Sequence, residues 1–160
     1  MKSKNASPGF VRALGLCFAS TVLAGCVSAA IDRTSDAQLR MRARTFLNAY
    51  AAGDKVTVLS MVNRSESYVY ATDFPDVIVG AEALGRTLER DTKSWGGNAR
   101  FGALQNVSAV SSGNLGTLFF DSPLSIGDAA PITVRFATVW TRADGAWKLI
   151  QSSTAVPTAH

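Results

Sequence analysis

The chain has 160 residues, with 16 Lys and Arg against 12 Asp and Glu, one histidine and two cysteines. The histidine is His160, the last residue, which excludes a Ser-His-Asp triad, a histidine-rich metal site and a histidine acid or base held rigidly in a pocket. Cys17 and Cys26 both lie near the N-terminus, so the body of the chain carries no disulfide framework, thiolate zinc site or cysteine nucleophile.

The N-terminal segment reads as an export signal. Lys2, Lys4 and Arg12 precede the uncharged stretch ALGLCFASTVLAGC, which is too short to span a bilayer as a mature helix, and no acid occurs before Asp32. A buried apolar helix, the alternative, leaves those three cations and the small residues before Cys26 without a reason. Leu23-Ala24-Gly25-Cys26 resembles the bacterial lipobox, in which a small residue precedes a cysteine lipidated on its thiol. The resemblance implies that Cys26 becomes the mature N-terminus and carries a diacylglyceryl group, commonly with an amide-linked acyl chain. Several chains anchor stably where one holds only marginally. Val27, not an aspartate, follows the cysteine, which by lipoprotein sorting favours the periplasmic side of the outer membrane in a two-membrane bacterium. The expected organisation is a signal peptide over 1–25, a lipidated tether over 26–34, one domain over 35–157 and a tail over 158–160. Loss of residues 1–25 removes three cations and no acids, leaving 13 basic residues against 12 acidic. That balance and an envelope address exclude a nucleic-acid partner, which would need a clustered basic face.

The remaining residues, about 135, suit one domain with a single core. Ser35 and Gln38 form a capping-box pattern for a helix with Leu39, Ala43, Phe46, Leu47 and Tyr50 on one face and Arg40, Arg42 and Arg44 on the remaining surface. Gly53 ends it, and Asp54 caps a second, shorter helix carrying Val56, Val58, Leu59 and Val62. SESYVYATDF alternates as a strand does, with Tyr68, Tyr70 and Thr72 on one side. A third helix over 81–95 puts Leu84, Leu88 and Trp95 on one stripe, with Glu82–Arg86 and Glu89–Lys93 as i,i+4 pairs on the wet side. Beyond Gly96-Gly97 four strand-like runs, at about 100–112, 115–125, 131–142 and 146–156, are separated by turn residues. Helices first and an antiparallel meander last make an α+β fold.

Val139-Trp140, Arg142, Asp144-Gly145 and Trp147, with Arg135 before them and the GAEAL opening of the third helix, resemble the NTF2-like superfamily, within it the SnoaL-like and kinase-association-domain branch. The resemblance runs over residues 35–157 in element order. It implies a cystatin-like cone, in which three N-terminal helices pack on a curved antiparallel sheet around an interior that is often a pocket. With Ala143-Asp144-Gly145 read as a three-residue turn, Arg142 pairs with Ala146, Val139 with Leu149, Ala137 with Gln151 and Arg135 with Ser153. Of these, Arg135, Ala137, Val139, Leu149, Gln151 and Ser153 share one face with Thr141 and Trp147. Phe136, Thr138, Trp140, Lys148 and Ile150 occupy the other. The first face is expected to look into the cone. The resemblance sets polar residues, histidines among them, at the positions of Gln151 and Ser153; neither is a histidine here, which argues against acid/base catalysis.

Three functions follow. The leading one is a non-catalytic binding module, in which Tyr50, Tyr70, Trp95, Arg135, Gln151 and Ser153 surround a small, partly apolar or anionic molecule. A guanidinium facing the interior requires an anionic ligand or a domain carboxylate, for which Asp73 and Asp91 are candidates. The second is an association module that builds a homodimer, or docks on an envelope partner, through Phe136, Trp140 and Ile150. The third is an isomerase, dehydratase or cyclase such as the superfamily contains, with a carboxylate base among Asp73, Asp76, Asp91 and Asp121 and Tyr68 or Tyr70 as donor. Asp73 is the catalytic candidate carried forward, although no motif ties any of the four to catalysis. The sequence implies no metal and no cofactor.

Overall fold

The computed structural model describes residues 33–64, 66–71 and 76–157. The signal segment, Cys26, the tether before Arg33, Asp73 and the tail over 158–160 lie outside the described residues. Three helices, α1 (Arg33–Ala51), α2 (Lys55–Ser60) and α3 (Gly80–Ser94), are threaded by two short strands, β1 (Tyr68–Tyr70) and β2 (Ile78–Val79). Five more strands follow: β3 (Ala99–Phe101), β4 (Gln105–Ser112), β5 (Leu115–Ile126), β6 (Ile132–Ala143) and β7 (Ala146–Ala155). They form one curved, unclosed sheet in the order β2-β1-β7-β6-β5-β3, with β4 also on β5. Every pairing is antiparallel except β1 on β7. The run expected at 100–112 is thus two strands. They share one edge of β5 and are separated at Gly102, whose N–H donates to the Pro123 carbonyl at 2.7 Å.

α1 lies across the concave face because its apolar row, Leu39, Ala43 and Leu47, is buried against Leu118, Phe120, Trp140 and Leu149 of the sheet. Its approach is close: a Cβ added to Gly116 of β5 would stand 2.5 Å from Leu39 Cδ1. The arginines expected on the helix surface instead fasten α1 to strand ends and edges. Arg40 donates to the Val107 carbonyl at 3.4 Å, Arg42 to that of Trp147 at 3.1 Å, and Arg44 to that of Gly102. Their stems cover apolar surface while their heads satisfy exposed carbonyls. Ser35 and Gln38 do not act as a capping box. Both lie inside α1 and accept from Arg142, at 2.9 and 3.0 Å. Gly53, at φ 68°, ends the helix as expected, and Asp54 Oδ1 caps α2 by accepting from the Thr57 N–H at 3.0 Å.

The β6–β7 hairpin departs from the expected register in two ways. Its loop has two residues, Asp144 and Gly145, at φ 52° and 74°, so Ala143 pairs with Ala146 and Arg142 with Trp147. Two consecutive left-handed residues make the tight turn that matches strand twist. The register then slips: Trp140 pairs with Leu149 but Val139 pairs with Gln151, leaving Ile150 as an extra residue on β7. A bulge reverses side-chain parity beyond it. Trp147 and Leu149 face the helices before it, and Ser152 and Thr154 face them after it.

Candidate functional site

α1, α3 and the concave face of the sheet enclose a cavity of about 320 Å³. This lies at the lower end of the range for small-molecule sites. Phe46, Leu47 and Tyr50 of α1 form one wall, and Leu84, Thr87, Asp91 and Trp95, along α3 and its C-cap, form a second. Val134 and Phe136 of β6, with Leu149, Ser152 and Thr154 of β7, make the floor. Ile132 and Val156, apolar yet exposed, stand at its rim. The lining is mostly aliphatic and aromatic, so the cavity offers dispersion and desolvation to an apolar guest, with few polar groups to orient it.

Its polar focus is Asp91. The Tyr50 hydroxyl donates to Asp91 Oδ2 at 2.7 Å, and Arg90 donates to Oδ1 through Nε at 2.8 Å and Nη2 at 2.6 Å. The Asp91 side chain is 15% exposed and that of Arg90 40%; Asp91 lines the cavity and Arg90 does not. Tyr50 stands between two further aromatic rings, with centroids 6.0 Å from Phe46 and 6.0 Å from Trp95. Asp91 is the only charged residue on the lining among the described residues. Among those residues no group of three or more His, Cys, Asp or Glu is placed to hold a metal ion.

Of the residues expected around a ligand, the fold brings Tyr50 and Trp95 to the cavity and leaves four elsewhere. Arg135, Gln151, Ser153 and Tyr70 do not line it, because the sheet turns the opposite face inward. Arg135 reaches across the outer face to Asp121, Nε to Oδ1 at 2.9 Å and Nη2 to Oδ2 at 3.2 Å, with its side chain 59% exposed. Its carboxylate partner is therefore Asp121 and not Asp91. Asn106, left-handed at φ 50° in the bulged part of β4, also donates to Asp121 Oδ2, at 2.9 Å. The Arg135 bond first, then that of Asn106, hold the Asp121 carboxyl below its ordinary value. Bonding to Asp121 likewise raises Arg135 above its own.

The expected interface is corrected in the same way. Trp140 is 1% exposed, with its indole N–H on Thr138 Oγ1 at 2.9 Å, and Phe136 stacks on Phe120 at 4.7 Å inside the core. Ile150 is half-buried at the bulge. Of the catalytic candidates, Asp76, Tyr68 and Tyr70 are exposed and Asp121 sits on the outer face. The carboxylate–phenol contact that the third function requires exists, but as Asp91 with Tyr50. A sequence signal for it was present: Asp91 falls three residues after Leu88 and four before Trp95, an acid interrupting an apolar stripe.

Helices seated in a curved, unclosed sheet are shared with known structures. The fold is NTF2-like. It is also described as cystatin-like. An NTF2-like protein of unknown function from Pseudomonas putida superposes with a TM-score of 0.72 at 14% identity, over 81% of this chain and 91% of that one. A candidate dehydratase of the NTF2-like family from Streptomyces avermitilis gives 0.67 at 16%, over 79% and 99%. A candidate calcium/calmodulin-dependent protein kinase type II association domain from Thiobacillus denitrificans gives 0.63 at 17%, over 73% and 93%. No protein-family model matches the sequence, and no curated protein does. What this NTF2-like chain shares with these proteins is its backbone architecture, so its function must be argued from its own side chains.

Proposed function

We propose that this protein is a lipid-anchored envelope lipoprotein whose NTF2-like domain binds a small, largely apolar molecule without transforming it. The observation that carries the binding role is the cavity between α1, α3 and the sheet, with its apolar walls and single polar focus. Binding is favoured over catalysis because Asp91 is already engaged on both oxygens, by Tyr50 on one and Arg90 on the other, and among the described residues no second carboxylate and no histidine lines the cavity to complete an acid–base pair. Anchoring rests on the lipobox-like Leu23-Ala24-Gly25-Cys26. No helix among the described residues is long and apolar enough to cross a membrane. Intact mass spectrometry of protein purified from membranes tests both parts. The expected spectra show a chain beginning at lipidated Cys26 and, under native conditions, a co-purified small molecule that is lost on Val156→Trp at the cavity rim. An unlipidated chain retaining residues 1–25 would remove the anchor. A ligand indifferent to Val156→Trp would remove the cavity as its site.

The outer face of the sheet supports a second reading, a homodimer. The registers set Ser108, Phe119, Ala137, Ser153 and Tyr70 in one row and Val110, Thr117, Val139, Gln151 and Tyr68 in the next. Phe119, Val110, Tyr68 and Tyr70 are exposed, and neither row contains a charge. The bordering charges are spent within the chain, Arg135 on Asp121 and Lys148 on the Ser60 carbonyl. A two-fold interface presents a patch to its own copy, so a neutral face meets itself without repulsion. Sedimentation should show a dimer that Phe119→Asp dissociates; a monomeric wild-type protein at micromolar concentration would end this reading.

A further inference from the structure

The cavity is electrically one-sided, and this restricts the class of molecule it accepts. Its only charged lining residue among the described ones is the acid Asp91, and its aromatic wall of Phe46, Tyr50 and Trp95 adjoins that acid. Aromatic faces attract cations through their quadrupole, within about 6 Å of the ring centre. Arg90 compensates Asp91 from outside the lining, so the pair turns its negative end toward the cavity and its positive end toward water. The one arginine expected to receive an anion, Arg135, is on the other side of the sheet.

Resting on the reading of the cavity as a binding site, we infer that it takes an apolar molecule bearing an amine, and discriminates against the isosteric carboxylic acid. The ammonium group sits against the aromatic wall and hydrogen-bonds Asp91, and the apolar body extends toward Val134 and Phe136. A carboxylate in that position would meet Asp91 with like charge and find no lining cation among the described residues to offset it. A neutral alcohol keeps the apolar contacts and a hydrogen-bond donor but lacks the Coulombic attraction.

Three probes of nearly the same shape test this near neutral pH: naphthylmethylamine, naphthylmethanol and naphthoate, titrated calorimetrically. The amine is expected to bind at least about tenfold more tightly than the alcohol, and naphthoate more weakly still. Asp91→Asn keeps an acceptor for Tyr50 and should abolish the roughly tenfold advantage of the amine over the alcohol. Arg90→Gln, at an exposed position, removes the compensating cation and should widen the preference for the amine. Naphthoate binding as tightly as the amine overturns the inference but not the cavity, as does an amine preference that survives Asp91→Asn. Failure of all three probes to bind the folded protein overturns the cavity reading and the inference together.

Discussion

Phe136 and Arg135 are adjacent in β6 and belong to different environments. On the concave side of the strand, Val134, Phe136, Thr138 and Trp140 are buried under α1, and Thr138 passes a hydrogen bond from Trp140 to the Leu118 carbonyl at 2.8 Å. On the convex side, Arg135, Ala137, Val139 and Thr141 carry smaller apolar groups and one guanidinium that closes on Asp121. Both faces contain apolar residues, so hydrophobicity alone does not separate them. Bulk does: the concave side has two large rings, and α1 packs closely over them where β5 carries no side chain at Gly116, the partner of Trp140. The difference teaches that along β6 the larger side chains mark the interior, even though the other face is also apolar.

Trp140→Ala should test this contrast most severely. Removing a fully buried indole costs about 3–5 kcal/mol, because the transfer free energy is lost and a void remains. Denaturant unfolding should show this, and the largest effect on the convex face should be far smaller. If Trp140→Ala cost no more than Arg135→Ala, the assignment of faces would be wrong. Gly116→Ala should follow at about 1–3 kcal/mol, by overpacking against Leu39. Because Leu39 is fully buried, it has little room to yield. A double variant Gly116→Ala, Leu39→Ala that costs less than the sum of its two single variants would identify that contact as the cause.

How far these faces can be read from the chain depends on what fixes each one. The alternation in β6 is local, a property of period two, and the sequence separates Arg135, Ala137, Val139 and Thr141 from Phe136, Thr138 and Trp140 correctly. Helix ends are equally local: Gly53 and Asp54 mark the α1–α2 break through backbone freedom and a side-chain cap. Which face turns inward is a tertiary choice, and giving the site to the arginine rather than to the rings reversed it. In β7 the error compounds. Ala143 fits a strand or a turn equally well, and nothing in KLIQSS announces that Ile150 is the extra residue of a bulge. The Tyr50–Asp91 bond spans 41 positions between two helices, and only the misplaced acid on the α3 stripe hints at it. Likewise Glu82 pairs with Arg86 at 2.5 Å as its spacing predicts, whereas Glu89 meets Lys55 of α2, a neighbour set by packing.

Acid sharpens the contrast on the convex side. The Asp121 carboxyl lies below its ordinary 3.8 in the folded protein, so the stability it contributes is complete above that pH and is lost as pH falls from there through the folded value. Urea midpoints measured downward from about pH 5 should therefore fall more steeply for the wild type than for Asp121→Asn, which has no proton to take up at that position. Equal slopes would mean that Arg135 and Asn106 do not hold the carboxylate in solution. The concave side has no such dependence to add through Phe136 or Trp140, which do not titrate.

The smallest effect is the most discriminating for the site. Gln151 sits beyond the bulge, exposed and paired with Val139 and Tyr68, on the side of the sheet away from the cavity. Gln151→Ala should change stability by no more than about 0.5 kcal/mol. It should also leave naphthylmethanol binding unchanged, because no cavity contact is touched. Ser152, its neighbour, floors the cavity and is buried. Ser152→Val in the same assay should alter the affinity by changing the shape and polarity of that floor. A response at 151 and none at 152 would mean that the strand runs without its bulge and that the opposite face of β7 lines the site.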